Sequence, residues 1–530
     1  MDTKAVRQKV LDLAIRGKLV PQDPNDEPAS VLLERIRQQK QQMVKEGKLK
    51  AKDIKNDTVI FVGEDNLHYE KFTDGSVKCI EDEMPCVVRE GWAWERLGNV
   101  STIARGGSPR PIEDYLTDDT DGINWIKIGD TEKDGKYIVH TKEKIKPAGL
   151  SKTRYVHDGD FLLTNSMSFG RPYILKTDGC IHDGWLVIGD IDTVFNQDYL
   201  YYALSSGFMY TTLSLLAAGS TVKNLKSDTV RSVLFPIPPL GEQERMARRL
   251  EQLISFVDAI NIEKRQLVDI INQTKSKILD LAIRGQLVPQ DPNDEPASVL
   301  LERIRAEKEE LIKAGKIKRD HKESVIFKGE DNSYYLNDGQ TVVDISDDLP
   351  FDIPDSWCWT RLKDVFIINP RNKLDDDLDV SFIPMPLIDD GYRGKHTAEM
   401  RQWKEVKTGF THFAEGDVGV AKITPCFENR KSTVFENLSN GYGAGTTELH
   451  VLRPFGSNIL AQYLLAYVKS DYFVENGKQA FTGAVGQQRI GKEYVENAYF
   501  PIPPANEQKR IVQQISTVFE YLNMISESLF

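Results

Sequence analysis

The chain has 530 residues, 40% hydrophobic and 28% charged, a soluble globular make-up too long for one core, so three or four folding units are expected. No apolar run reaches the ~18 residues of a membrane span. The first residues, MDTKAVRQKVLDLAIRG, are charged where a signal peptide is apolar, and the five cysteines lack a CxxC pair or zinc spacing. The composition therefore argues against a membrane protein and a structural metal, and for a reducing cytoplasm.

The net charge of −12 argues against nucleic acid only until it is located. Residues 51–83 hold nine Asp/Glu against four Lys/Arg, and residues 320–352 hold nine against two, which accounts for the whole deficit. The neutral remainder is free to carry basic patches.

From the N-terminus, residues 4–16 carry Val6, Val10 and Leu13 at the spacing of the end of a coiled-coil helix. Residues 28–48 read as a shorter helix with a polar face, and 51–85 alternate apolar and polar residues around DG and ND turns, as small hairpins do. GWAWERL (91–97) leads into a long irregular region, which closes at FPIPPLGEQER (235–245). From Glu242 to Arg284, apolar residues at Met246, Leu250, Leu253, Val257, Ile260, Leu267, Ile271, Ile278 and Leu281 keep a four-three spacing broken only at Lys264 and Thr274. This predicts a coiled-coil helix of about 43 residues, ~60 Å long, ended by Gly285 and Pro289.

The chain then repeats itself. LDLAIRGKLVPQDPNDEPASVLLERIR (11–37) returns at 279–305 with one change, Lys18 to Gln286. VIFVGEDN (59–66) returns as VIFKGEDN (325–332), GWAWERL as SWCWTRL (356–362), and FPIPPLGEQER as FPIPPANEQKR (500–510). The second long helix repeats the pattern at Ile511, Ile515, Val518, Leu522 and Ile525 but stops at Phe530, while residues 4–16 align with 272–284 and supply its missing tail. Between the echoes, residues 98–233 and 363–498 share little.

The expectation is a mixed α+β protein with a pseudo-two-fold internal repeat, in which two α/β domains are separated by long antiparallel coiled-coil helices acting as a spacer. Its segments are a helical region (1–50), an acidic hairpin segment (51–97), a first divergent domain (98–240) and a central long helix and repeat (241–317). A second acidic segment (318–362), a second divergent domain (363–504) and a short C-terminal helix (505–530) follow.

Enzyme signatures fail on their chemistry. GQQRIGKE (486–493) has the G-x4-GK frame of a phosphate loop but places Glu493 where magnesium needs a hydroxyl. GYGAG (441–445) has loop glycines without the strand-glycine-helix context of a dinucleotide site, and no amino-methylation motif or G-x-S-x-G occurs. A non-catalytic chain is expected.

The divergent regions instead hold polar loops rich in glycine and arginine, six in all, at corresponding positions. In the first region these are ARGGSPRP (104–111), TNSMSFGRP (164–172) and AAGSTVKNL (217–225). In the second they are NPRNK (369–373), AKITPCFENRK (421–431) and TGAVGQQRI (482–490). Arg pairs with guanine and Asn or Gln with adenine in the major groove, while Lys, Ser, Thr and glycine amides serve phosphates. The candidate DNA contacts are therefore Arg105, Gly106, Gly107, Ser108, Arg110, Asn165, Ser166, Ser168, Arg171, Ser220, Thr221, Lys223 and Asn224 in the first domain. In the second they are Arg371, Asn372, Lys373, Lys422, Thr424, Asn429, Arg430, Lys431, Gln487, Gln488 and Arg489. A tandem scaffold binding protein or carbohydrate through the same loops, or an enzyme without a familiar signature, is the alternative; salt-dependent, sequence-specific DNA binding separates them.

KVLDLAIRGKLVPQDPNDEPAS, the two tryptophan motifs and the FPIPP…EQ.R exits make the chain resemble the specificity subunits of type I restriction–modification systems over nearly its whole length. The resemblance implies two target recognition domains, each reading one half of a bipartite, asymmetric double-stranded DNA target, with the helices setting the gap. It implies two modification (methyltransferase) subunits docked on the shared frame, and restriction (translocase and nuclease) subunits completing the complex. S-adenosylmethionine, ATP and magnesium would then reside on those partners, with none bound by this chain.

Overall fold

A computed structural model describes residues 2–529 except 133–134, 166–168, 218–223, 320–323, 457 and 485. The chain divides into two compact units, Met1–Glu263 and Lys264–Phe530.

In the first unit, Asp2 caps the helix Thr3–Ile15 by accepting hydrogen bonds from the backbone N–H groups of Lys4 and Ala5. The helix buries Leu11, Ala14 and Ile15 in a core that also contains Met246, Leu250 and Ile254 of the long helix Leu240–Ile283. Arg7 pairs with Asp258 at 2.7 Å and Thr3 reaches Asn261 at 3.5 Å, so the two helices run antiparallel. A second helix, Ala29–Lys45, buries Leu32, Leu33 and Ile36 and leaves its polar face outside. The acidic segment is a three-stranded meander, Val59–Val62, His68–Lys71 and Val77–Cys79.

The two repeated motifs that flank the divergent region pair with each other. Strand Ala93–Arg96 runs antiparallel to Leu234–Ile237, with Ala93 opposite Ile237 and Arg96 opposite Leu234. Behind this junction the indole N–H of Trp92 donates to the buried Glu242 carboxylate at 2.9 Å, and Arg89 stands 3.8 Å from its other oxygen. The buried amide of Gln243 donates to the carbonyls of Val194 and Pro238 and accepts from the Asn196 N–H. Arg245 holds Asp26 of the PNDEP turn in a two-pronged pair. Gly17, with φ at +66°, packs against Trp92, where a Cβ would stand 3.1 Å from the ring and 2.4 Å from the Arg89 chain.

The second unit repeats the junction, except that Pro354 stands in the place of Arg89 and Gln290 donates to Glu507. Strand Cys358–Arg361 pairs with Tyr499–Ile502, and the Trp357 indole donates to Glu507 at 3.0 Å. The Gln508 amide donates to the Pro503 carbonyl and accepts from the Leu460 N–H, Arg510 holds Asp294, and Gly285 (φ +70°) packs against Trp357. The repeat of 26 identical residues in 27 thus has a structural counterpart: its glycine and its PNDEP turn both press on the tryptophan junction.

Between inbound and outbound strands each unit carries a head built on two sheets. In the first, the central strand Trp185–Gly189 lies between Thr102–Arg105 and Phe161–Thr164, and Pro172–Leu175 and Tyr137–Ile138 complete the sheet. In the second, the central strand Leu449–Pro454 lies between Phe366–Ile368 and Val418–Ala421, with Ser432–Val434 outside. Helices Gln197–Leu204 and Gly207–Leu216 follow the first central strand, and Ala461–Val468 and Asp471–Gln479 the second. Sequences with little in common build the same order around the same strand.

Three readings are refined. The long helix buries Met246, Leu250, Val257, Ile271 and Ile278 as its spacing predicts, but Leu267 is exposed, as are Phe256, Ile262 and Ile270. Both ends bury additional residues, Ala247 and Ile254 at one and Leu279, Ala282 and Ile283 at the other, because helix ends packed against a domain bury more than a seam. GYGAG is not a loop: Tyr442–Gly445 is a strand, and Gly443 is required because a Cβ there would meet the Phe413 ring at 2.1 Å.

Glu95 on the first inbound strand is buried, accepts from Asn99 and from the Arg96 N–H, and is pushed by burial up to about 7. A raised acid contributes stability that is complete below its ordinary value of 4.5 and lost as pH rises through about 7. Glu95→Gln removes the cost of the buried charge, on the order of 3 kcal/mol above pH 7. Thermal unfolding should show the variant more stable than the parent at pH 8, with the difference closing toward pH 5; an equal difference at both pH values contradicts this.

Candidate nucleic-acid interface

In the first head two of the predicted loops meet at one turn, His182–Asp183–Gly184, immediately before the central strand, and the third is tied to the second. From the first loop, Arg105 donates through Nε to the Asp183 carbonyl at 2.9 Å, Ser108 donates to the Asp183 carboxylate at 3.0 Å, and Arg110 pairs with it at 3.2 Å. From the second, the buried Asn165 side chain donates to the Asp183 carbonyl at 2.7 Å, and its backbone N–H donates to the Gly184 carbonyl. The third joins through the Leu225 N–H, which donates to the Asn165 carbonyl. Burial works against the charge of Asp183, but the Ser108 hydroxyl and nearby His182, Arg105 and Arg110 outweigh it and hold the carboxyl below its ordinary range.

The glycines serve packing. The Gly106 and Gly107 amides donate to the carbonyls of Trp185 and Ile181, and added Cβ atoms would strike the backbones of His182 and Lys152 at 2.3 and 2.7 Å. Arg105 and Arg110 are exposed, and Lys152 and the exposed Arg154 stand against the same loop, Arg154 donating to the Arg105 carbonyl. Arg171 is half-buried with its guanidinium 5.4 Å from the centre of the Tyr173 ring, and Asn224 is exposed. Beside the first loop opens a cleft of about 800 Å³ lined by Ser108, Arg110, Trp125, Lys127, Glu143 and His182. Ser166, Ser168, Ser220, Thr221 and Lys223 lie outside the described residues.

The second head gathers its loops at the start of its own central strand, around Glu448 just before it and His450 within it. The Thr424 N–H donates to the Gln488 carbonyl and the Ile490 N–H to the Lys422 carbonyl, which sews the second and third loops together. Arg489 pairs with the Glu448 carboxylate; this pairing, with Lys422 close by, keeps Glu448 below its ordinary range. The buried His450 accepts from the Asn369 amide at 3.3 Å and donates to the Ile490 carbonyl at 3.1 Å, joining the first loop to the third; burial and the nearby Lys422 and Lys492 hold the ring below its ordinary value and so neutral. Asn369 takes a positive φ of 57°, which Asn tolerates, and accepts from the Val451 N–H.

The candidates here divide. Lys373, Asn429 and Gln487 are exposed, and Arg371 is exposed with one N–H donated to the Phe410 carbonyl. Asn372 is half-buried, donating to the Phe413 carbonyl and accepting from Arg453. Arg430 turns inward, donating to the Lys469 carbonyl and pairing with Asp471, and Lys431 donates to the carbonyls of Met385 and Ile388. These two cations fasten the second loop to the head. The sequence reading missed Lys152, Arg154 and Asp183 in the first head and Glu448 and His450 in the second. LSKTRY (150–155) is a legible basic cluster, and both carboxylates stand directly before an apolar central strand.

Both halves match a family model described as the type I restriction modification DNA specificity domain, at residues 89–269 and 354–529. The chain is similar to the type I restriction enzyme EcoAI specificity subunit of Escherichia coli, 45% identical over 259 residues, covering 48% of this chain and 41% of that protein. It is also 46% identical over 248 residues to the EcoEI specificity subunit of E. coli, covering 46% of this chain and 39% of that one. The matched stretch thus spans about two fifths of each relative. A chain from a solved structure concerning assembly and conformational transition of the type I R-M system shares the fold, with a TM-score of 0.52 and 16% identity over 84% of this chain and 94% of that one.

The sorting of arginines is testable without DNA. Arg430→Ala removes the donor of the Lys469 carbonyl and the ion pair to Asp471, which keeps the Ser276 hydroxyl, and should cost ~1–1.5 kcal/mol in denaturant unfolding. Arg110→Ala, whose side chain is 80% exposed, should leave stability within ~0.5 kcal/mol of the parent. Equal losses would show that the two arginines play the same part.

Proposed function

Since the chain belongs to the type I restriction–modification DNA specificity family, we propose that it is the DNA-recognition subunit of such a complex, each head reading one half of a bipartite target. The observation that carries this reading is the gathering, in two heads of unlike sequence, of three polar loops linked by hydrogen bonds at the start of the central strand. Exposed cations stand around the first convergence, Arg105, Arg110, Lys152 and Arg154, and Arg371 and Lys373 are exposed on the first loop of the second head. Cations of this kind supply phosphate contacts, and arginine and amide side chains supply base contacts.

In this reading the frame shared by the two units is the docking surface for two methyltransferase subunits, and restriction subunits join them. S-adenosylmethionine, ATP and magnesium belong to those partners; this chain contributes recognition and no bond-making chemistry. Two acidic meanders keep the overall charge negative, and the heads are left to provide the positive surface that DNA needs.

The test is selection from a random double-stranded library by the full chain assembled with its methyltransferase subunit. A two-part sequence separated by an unread gap is expected, with affinity falling steeply as salt rises. Arg105→Ala and Arg371→Ala should each either relax one base position or weaken all sequences alike, the latter lowering the salt slope by about one. No enrichment, with binding indifferent to salt, would leave a scaffold for protein or carbohydrate in its place.

A further inference from the structure

Among the candidate loop arginines of the second head, Arg489 differs in how its donors are used. A guanidinium has five N–H groups in a rigid plane. Arg489 donates Nε–H and one Nη2–H to the two oxygens of Glu448, at 2.9 and 3.0 Å, and one Nη1–H to the Gln487 carbonyl at 2.8 Å. Two N–H groups remain, one on each terminal nitrogen. Because the carboxylate takes the Nε–Nη2 edge, the N–H left on Nη2 lies on the opposite edge, which it shares with Nη1. The side chain is 40% exposed.

We propose that Arg489 reads a guanine in the major groove through its two remaining N–H groups, and that Glu448 is the positioning residue that holds the fork in place. The proposal rests on the DNA-recognition reading. Guanine presents O6 and N7 as adjacent acceptors, which a planar pair of donors satisfies together and no other base edge matches. Ordering the side chain before binding removes the rotamer entropy that a free arginine would lose on contact. The surroundings hold the fork still: Arg489 and Thr482 are opposite in a short ladder, Ile423 bridges to Arg489, and Glu448 sits before the central strand. Arg430, in the neighbouring loop, is held as well, by Asp471 and the Lys469 carbonyl, but its side chain is only 20% exposed, and Arg110 of the first head keeps a single 3.2 Å contact to its carboxylate.

The experiment compares sequences selected from a random double-stranded library by the parent, Arg489→Lys, Arg489→Ala and Glu448→Gln chains, each assembled with the methyltransferase subunit, with thermal unfolding in parallel. The parent should select a guanine in one half of the target. Arg489→Lys keeps the charge but not the fork, so preference at that single position should fall at least tenfold while the other positions and the melting temperature hold. Glu448→Gln should weaken the same position and no other. If Arg489→Lys selects the parental sequence and Arg489→Ala weakens all sequences alike, the side chain holds phosphate and the proposal fails while DNA recognition stands. If the parent selects no sequence at all, both fail.

Discussion

A buried indole N–H donated to a buried carboxylate fixes where each variable domain begins and ends. Trp92 lies at the start of the first head and Glu242 just past its end; Trp357 and Glu507 do the same for the second, at bond lengths of 2.9 and 3.0 Å. The inbound and outbound strands are thereby held side by side, and a head of any internal sequence leaves the frame at the point where it returned. Leaving the carboxylate without its donor would strand a buried charge, a loss of several kcal/mol. Burial raises both Glu242 and Glu507 above the ordinary carboxylate range, and the indole hydrogen bond offsets part of that cost.

With its base fixed, a head is free to change wherever its sheet is not built. The constraint that survives is the central strand, flanked on both sides by the strands that launch the first two loops. In one head the turn before it carries Asp183, in the other Glu448, and each carboxylate collects arginine from a different loop. A carboxylate at this position restrains cations that would otherwise repel one another, and different loops can be arranged around it without disturbing the core.

The frame was legible because it is written twice. Repetition located the helices, the meanders and both tryptophan motifs, and four-three spacing placed the long helix within two residues of its ends, Leu240 and Ile283. Pairing of the inbound with the outbound strand was not legible, since about 140 residues separate partners such as Glu95 and Phe235 and local pattern carries no information over that distance. Loop positions were legible from glycine and arginine, but the direction of each side chain was not. Arg430 and Arg489 look alike in sequence, and each is held by a carboxylate and a backbone carbonyl; one is 20% exposed, the other 40%. Asn165 has the side chain of an adenine reader, yet it is buried beneath the Asp183 turn. Deciding between such cases requires the partner, and the partners lie 18 to 41 residues away.

The central claim is that the two frames are equivalent and that specificity lives entirely between Leu97 and Val233 in one and between Leu362 and Ala498 in the other. Replacing residues 98–232 with residues 363–497 puts the second head on both frames while keeping each tryptophan, each glutamate and each paired strand native. Library selection with this chimera, assembled with the methyltransferase subunit, is the most direct measurement. The account predicts a folded protein that selects the second half-site twice and no longer selects the first. A folded chimera that still selected the first half-site, or selected a sequence found in neither half of the parental target, would contradict it.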